Sequence, residues 1–433
     1  MSFANLSAMA LPTTPPSGFR DFLPDQVAAR ARAVETITGV YRSFGFQPVA
    51  TPAVEELSVL TGQGGGENEK LIFKIMKRGE AYSRALEERS DLADLGLRFD
   101  LTLPLARWYS KHGSQLSHPF KAFNLGPVWR AERAQKGRYR EFTQCDVDII
   151  GSDSWGAEVE VITAILAVFK AFGLDGVKVH LNDRRLVDQA LAAASVPEDK
   201  RGHACVVVDK LDKIGRDAVI AELVASVGQA AADALVKSLL VEDGAATEPL
   251  DKIIAAVKAL VPAASIAVDP SLMRGMGYYT GPVFEFRHAS LSGSLGGGGR
   301  YDRLTEKFGG PSTPACGGSI GFERLMLILE ETGKNGDTAA PDAVVTVFSD
   351  ELRGRSLEIG AALRAKGLAI DVYPGGGKLK TQFKYADQKK AGYAIVIGPD
   401  EAGRGVMQVK ALATGEEQAL TLDEACALIA GKH

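Results

Sequence analysis

The chain has 433 residues, a net charge of −4, 24% charged and 45% hydrophobic side chains, which suits a globular protein of roughly two to four domains. Its four cysteines, Cys145, Cys205, Cys316 and Cys426, lack C-x-x-C spacing and suggest neither a disulfide framework nor a zinc site. No apolar run approaches the ~18 residues of a membrane span. The charge balance does not announce a nucleic-acid partner, although local Lys/Arg patches suffice for one.

In chain order, residues 1–17 read as a flexible tail closed by Pro15, Pro16 and Gly18. Without a basic stretch followed by a long apolar one, the tail is no signal peptide, and the expected compartment is the reducing cytoplasm. Val27, Val34, Ile37, Tyr41 and Phe44 form the stripe of a helix over 24–44. A strand is expected from Phe46 to Glu55, with Pro52 near its end. GQGGGENE, 62–69, cannot pack a core and reads as a mobile loop. Leu97–Pro104 alternates like a strand, with Asp100 and Thr102 on one face.

Two strands around a charged loop follow, in GPVWRAERAQKGRYREFTQCDVDIIG, 126–151. Alternation from Arg140 to Ile149 puts Arg140, Phe142, Gln144, Asp146 and Asp148 on one face. That face is too polar for a core and suits a charged ligand containing a ring. Residues 184–262 are Ala-, Val-, Leu- and Lys-rich with helical spacing, and read as a helical insertion. Met273–Phe286 and Gly296–Asp302 then gather Arg274, Tyr278, Tyr279, Arg300 and Tyr301 around glycines that let backbone approach a ligand closely. Gly317–Leu329 reads as a strand entering a helix, with Leu325, Ile328 and Leu329 on the core side and Arg324 toward the site. After a linker-like stretch, 331–342, come strands at Val344–Phe348, Ala369–Tyr373 and Tyr393–Ile397. They alternate with a helix at 350–366 and a basic one, KLKTQFKYADQKK, and Val406–Val409 adds a further strand.

Arg130, Arg138, Arg140, Phe142, Gln144 and Asp148 together resemble motif 2 of class II aminoacyl-tRNA synthetases, and the wording KGRYREFTQCDVDIIG resembles the histidyl branch. The helix and strand at 24–55 are similar to motif 1, the dimer element of that class. GFERL at Gly321–Leu325 is similar to motif 3. RGMGYYTGPVFE and GGRYD resemble the two histidine-specific signatures of the histidyl-tRNA synthetases, although Gly277 stands where many members carry Asp. The resemblance covers nearly the whole chain and implies an α+β protein. Its catalytic domain, 18–183 and 263–335, would be built on an antiparallel sheet, with the helical insertion at 184–262 and a small α/β anticodon-binding domain at 341–433.

The implied reaction is ATP-dependent activation of histidine to histidyl-adenylate and transfer to the 3′ end of tRNA(His), by a homodimer. A carboxylate is already ionised at pH 7, so the first step needs positioning and charge neutralisation more than a base. By resemblance, Arg130 holds the α-phosphate and the substrate carboxylate. Arg138 reaches the β- and γ-phosphates or the tRNA acceptor end. Phe142 stacks on adenine, with Arg324 over its other face or on the γ-phosphate. Arg274 neutralises the α-phosphate where other class II enzymes use an extra metal ion. No protein-held metal is implied; Mg2+ accompanies ATP. Asp100, Thr102 and Gln144 bind the α-ammonium, Asp148 and Tyr279 the imidazole, and Tyr278 and Tyr301 complete the pocket. Lys378, Lys380 and Lys384 are offered to tRNA, though their spacing covers more than one helix face. Two alternatives are a non-catalytic regulatory subunit of ATP phosphoribosyltransferase, which shares the catalytic fold, and a tRNA-binding regulatory module.

Overall fold

The computed structural model describes residues 11–61, 70–134, 137–241, 247–274, 277–291, 293–334 and 340–431. The loop expected at 62–69 lies outside them, as do Gly275 and Met276 of the first glycine-rich run and 335–339 of the expected linker. The chain divides into two compact units, residues 1–21 with 31–335 and residues 22–30 with 336–433.

The helix α1 (Pro24–Ser43) forms where its apolar stripe predicts, with its residues up to 30 in the second unit and the rest in the first, although Val27 of that stripe is exposed. The strand expected at 46–55 is instead two short ones, β1 (Gln47–Pro48) and β2 (Val54–Glu56). Pro48 and Pro52 have no amide to donate, and between them pairing passes from one sheet to another. After α2 (Leu57–Thr61), β3 (Lys74–Met76), α3 (Gly79–Glu87) and β4 (Ala93–Leu97), strands β2, β4 and β3 make a small antiparallel sheet. The strand expected over 97–104 stops at Leu97, and α4 (Thr102–His112) starts five residues on. Asp100 Oδ1 accepts the Leu103 amide at 3.1 Å and satisfies a donor of the first helical turn. Pro104 is tolerated there because that turn needs no amide from it. Asp100 and Thr102 are therefore presented from a helix N-terminus, not from a strand face.

The hairpin β5 (Phe120–Trp129) and β6 (Glu141–Ile150) is followed by α5 (Gly156–Ala171), β7 (Lys178–Asp183), α6 (Arg184–Ala193), α7 (Glu198–Val208), α8 (Leu211–Ile214), α9 (Arg216–Val227), α10 (Gln229–Leu239) and α11 (Glu248–Leu260). Then come β8 (Ser265–Val268), β9 (Pro282–Arg287), β10 (Ser294–Arg300), β11 (Ala315–Gly321) and α12 (Phe322–Glu331). Eight strands form one sheet in the order β1-β5-β6-β11-β10-β9-β7-β8, antiparallel except for the two edge pairs. Apolar side chains of α5 and α12 pack on it with Phe284, Phe286 and Ile320. The stretch expected as one insertion, 184–262, divides. Residues from Val187 to Leu240 share a core of their own with Met273. Leu250, Ile253 and Val257 of α11 are instead buried in the core of the large sheet.

The second unit holds β12 (Ala343–Val345), α13 (Arg353–Ala365), β13 (Ile370–Val372), α14 (Leu379–Gln388), β14 (Tyr393–Val396), α15 (Pro399–Arg404), β15 (Met407–Ala411), β16 (Glu417–Leu420) and α16 (Leu422–Ala430). The strand order is β13-β12-β14-β15-β16, the first three parallel and the rest antiparallel. Side chains of α13 and α16 pack with Val345 and Ile395, whereas Ala386, Phe383 and Tyr385 of α14 pack with Val344 and Ala394. Neighbouring strand residues face opposite ways, so helices cover both faces. Phe383 and Tyr385 thus belong to this unit's packing. The lysines Lys378, Lys380 and Lys384 are exposed.

Candidate active site

A cleft of about 500 Å³ opens over the large sheet and is lined by Arg130, Arg138, Phe142, Gln144, Arg274 and Arg324. Strand alternation on β6 sets its floor. Phe142, Gln144, Asp146 and Asp148 share a face, and the flanking strands oppose Gln144 with Gly126 and Gly321, and Asp148 with Gly317. A Cβ on Gly317 would lie 1.8 Å from Asp148 Oδ1, so only glycine leaves room for that carboxylate.

The cations reach the cleft from four elements. Arg130, at the end of β5, donates Nε to the Phe99 carbonyl at 3.0 Å and lies 5.0 Å from the Phe142 ring centroid. Burial lowers its pKa, and Asp100 and Glu132 oppose that shift. Arg138 is ion-paired with Glu132. Arg324, on the first turn of α12, donates to the Ser294 carbonyl, and burial lowers its pKa. Arg274 donates to Glu285 at 3.1 Å, and Glu285 also holds Arg287 at 2.7 Å. Burial pulls the Arg274 pKa down, but Tyr279 and Glu285 outweigh it, so the net direction is up. A Cβ on Gly297 would lie 2.8 Å from the Arg274 guanidinium. The polyglycine run, expected as a backbone approach to ligand, is the interior of β10, paired on both sides. Its glycines make room for neighbouring strands and side chains.

Behind the arginines lies a polar pocket. Tyr301 donates its hydroxyl to Asp148 Oδ1 at 2.5 Å. The Thr102 side chain lies beside the Tyr278 hydroxyl, and Arg274 beside that of Tyr279. The Tyr278 ring centroid is 4.9 Å from that of Tyr279 and 6.0 Å from that of Tyr301. Burial raises the Asp100 carboxyl to about 6 and the Asp148 carboxyl to about 7. Burial and then Asp148 push Asp146 well up as well. Three buried acceptors, Asp100 Oδ2, Gln144 Oε1 and Asp148 Oδ2, have no hydrogen-bond partner among the described residues. Unpaired buried acceptors are costly, and these are suited to the N–H groups of a cationic or imidazole-bearing ligand.

The structure therefore gathers Asp100, Thr102, Phe142, Gln144, Asp148, Tyr278, Tyr279 and Tyr301 with the four arginines. Arg300 is not among them. Its guanidinium is forked on Glu158 of α5 at 2.6 and 2.7 Å and also donates to the Ser152 and Ser154 carbonyls. Lys378, Lys380 and Lys384 belong to the second unit. Sequence reasoning missed Arg20, whose guanidinium lies 3.3 Å over the Tyr139 ring and pairs with Glu323. It also missed the insertion's Val208, Leu211 and Lys213 on the cleft wall. None of these carries a local signal.

The sequence profile of histidyl-tRNA synthetases matches residues 18–325, and that of an anticodon-binding domain matches residues 342–432. A histidine–tRNA ligase of Leifsonia xyli subsp. xyli is 42% identical over 84% of this chain and 90% of its own length. One of Cytophaga hutchinsonii is 35% identical over 94% and 97%. The chain belongs to the histidyl-tRNA synthetase family. The crystal structure of a histidyl-tRNA synthetase from Nostoc sp. PCC 7120 superposes with a TM-score of 0.78 at 27% identity, covering 98% of this chain and all of that one. The class II fold expected from the motifs is thus present. The regulatory-subunit alternative is not favoured, because relatives named as ligases match over almost the full length. Among the described residues no helix is long and apolar enough to cross a membrane.

Proposed function

We propose that the cleft performs both steps of histidine–tRNA ligation. A carboxylate oxygen of histidine attacks the α-phosphorus of ATP, the bond to the β-phosphate oxygen breaks, and pyrophosphate leaves. A ribose hydroxyl of the terminal adenosine of tRNA(His) then attacks the histidyl carbonyl and AMP leaves. The observation that carries this reading is the set of three unpaired buried acceptors beside an arginine-lined cleft. Asp100, Thr102 and Gln144 receive the α-ammonium. Asp148, fixed by Tyr301, receives an imidazole N–H, and Tyr279 turns from Arg274 toward the ring. A site whose buried polar groups need the imidazole rejects apolar analogues by ~10⁴.

Adenine stacks on Phe142 with Arg324 on its other side. Arg130 and Arg274 hold the α-phosphate, and Arg138 leaves Glu132 for the outer phosphates or the acceptor end. Planar forks that stay charged suit this work. Mg2+ enters as companion of the β- and γ-phosphates. Residues 18–183 and 263–335 serve as the catalytic domain, 184–262 as its insertion, and 341–433 binds tRNA, with Lys378, Lys380 and Lys384 toward its phosphates. The protein works as a homodimer through 24–55, in the cytoplasm.

Histidine-dependent ATP–pyrophosphate exchange, compared across all twenty amino acids, tests the substrate. Exchange with another amino acid and none with histidine would overturn it. Light scattering showing a stable monomer would overturn the dimer.

A further inference from the structure

Just past the run RGMGYYTGPVFE, at the end of β9, stands an arginine that none of the motifs names. Alternation on β9 divides its side chains between two faces. Phe284 and Phe286 are buried in the core of the large sheet, and Val283, Glu285 and Arg287 take the opposite face. Glu285 and Arg287 line the cleft there, so Arg287 adds a fifth arginine to its wall.

The register puts Glu285 directly opposite Gly297 of β10 and His180 of β7. Gly297 has no side chain, and the Arg274 guanidinium occupies the space above it. His180 is engaged elsewhere, its Nδ1 lying 3.1 Å from Asp269 Oδ2. Glu285 therefore stands between two arginines. Its Oε2 accepts from Arg274 at 3.1 Å, and its Oε1 accepts from Arg287 Nε at 2.7 Å.

A carboxylate and a guanidinium frequently close into a bidentate fork of two parallel bonds. Glu285 does not fork Arg274, because Arg287 holds the other oxygen by the shorter of the two bonds. The difference matters at this place. A forked Arg274 would turn its donors to Glu285 and become half of a neutral pair. With Glu285 shared, two guanidinium charges against one carboxylate leave the cluster a net charge of +1. Arg287 also acts on a second carboxylate. Burial raises Asp269, but His180, Ser271 and the charge of Arg287 outweigh it, so the net direction is down.

We propose that Arg287 is a positioning residue for adenylate formation. By holding Oε1 of Glu285 it keeps that carboxylate from closing on Arg274 with both oxygens, and so keeps the Arg274 fork open to the α-phosphate. This rests on the ligase reading above, which makes Arg274 the α-phosphate cation, and adds a residue that acts through Arg274 without touching substrate.

The readout is the contribution of an α-phosphate to binding, taken as the ratio of the Kd of adenosine to that of AMP, titrated into the full chain without histidine. Arg287→Met keeps an apolar stem and removes the guanidinium. It is expected to cut the ratio about tenfold, within the range of coupling between contacting residues, with the adenosine Kd unchanged. Arg287→Lys, whose point charge can still hold one oxygen, should restore part of it. Single-turnover adenylate formation should slow by about the same factor, with the histidine KM unchanged. Glu285→Gln removes the competing carboxylate, so in that background Arg287→Met should change the ratio by less than about twofold. A loss that persists there would place Arg287 on the phosphate itself, or route its effect through Asp269, and would overturn the proposal. So would an unchanged ratio in Arg287→Met, or a wild-type protein that binds adenosine as tightly as AMP. Equal weakening of adenosine and AMP would overturn it too, as the mark of a purely structural role. Histidine-dependent exchange by the wild-type protein reports the ligase reading separately. A protein without that exchange, whose preference for AMP still falls in Arg287→Met, would sink the ligase reading alone.

Discussion

Replacing Asp148 by Asn is expected to stabilise the protein while disabling it. Burial is the main force that lifts this carboxyl from 3.8 to about 7; the Tyr301 hydrogen bond pulls it back and Asp100 adds to the rise. A carboxyl that ionises less readily in the folded chain than in the unfolded one destabilises the fold once the unfolded chain has lost the proton. Below pH ~4 both states are protonated and nothing is lost. From pH ~4 to ~7 the fold loses about 1.4 kcal/mol per pH unit, and above that the loss is constant at up to about 4 kcal/mol. Asparagine carries no charge and still accepts from Tyr301 through Oδ1. The advantage of Asp148→Asn over the wild type should therefore be near zero at pH ~4, grow to pH ~7 and then level off, several degrees in Tm at pH ~8. Thermal unfolding of the larger unit across this range, without ligands, measures it. The same variant should raise the KM for histidine in pyrophosphate exchange. A Tm difference independent of pH, or a variant less stable at pH ~8, would refute the reasoning.

Arg274→Ala is expected to slow single-turnover adenylate formation by ~10²–10³, because a fixed cation at the α-phosphorus acts mainly as charge grows there; Arg274→Lys should recover only part, lacking the fork. Glu158→Gln removes the carboxylate forked by the buried Arg300 guanidinium and leaves it Asp302 at 3.2 Å and two carbonyls, and should cost ~1–3 kcal/mol in urea unfolding, with the histidine KM unchanged. Gly317→Ala forces Asp148 Oδ1 away from a Cβ that would sit 1.8 Å from it; misplacement on that scale should cut histidine activation ~10²-fold, read as exchange kcat/KM.

The sequence revealed most where strand alternation and chemistry coincide. On β6 every second residue is ring, amide or carboxylate, and a period of two admits no other grouping of Phe142, Gln144, Asp146 and Asp148. The strand-to-helix passage into α12 was equally legible, because Leu325, Ile328 and Leu329 return at helical spacing and all three are buried. Elsewhere the same alternation misled. Leu97, Phe99, Leu101 and Leu103 alternate as a strand would, but the Asp100 carboxylate bonds the Leu103 amide, and one local hydrogen bond turns the segment into a helix start. Polyglycine reads as backbone left open for a ligand, because glycine weakens strands. In β10 the opposite holds, since a Cβ on Gly298 would meet the Gly317 carbonyl at 2.0 Å. That constraint comes from a neighbouring strand and has no trace in the local sequence.

The N-terminal segment shows why part of the site had to stay illegible. Residues up to 17 were expected as free tail, but the Ser17 carbonyl accepts from Arg140 at 3.2 Å and the Gly18 carbonyl accepts the Arg140 amide at 2.9 Å. Two residues on, Arg20 stacks on Tyr139 and pairs with Glu323, whose other oxygen accepts the Thr143 amide at 3.2 Å. One short segment thus ties the end of the hairpin loop that carries Arg138 to the helix turn that carries Arg324. The pairing spans 303 positions, so no window of sequence contains it. Its effect is nonetheless local to the chemistry. Phosphate-binding arginines work by being held where charge develops, and a loop left to move would lose that placement. The arginines proposed for ATP could be named from their motifs. The residue that holds the two motifs in register could be found only once the chain was folded.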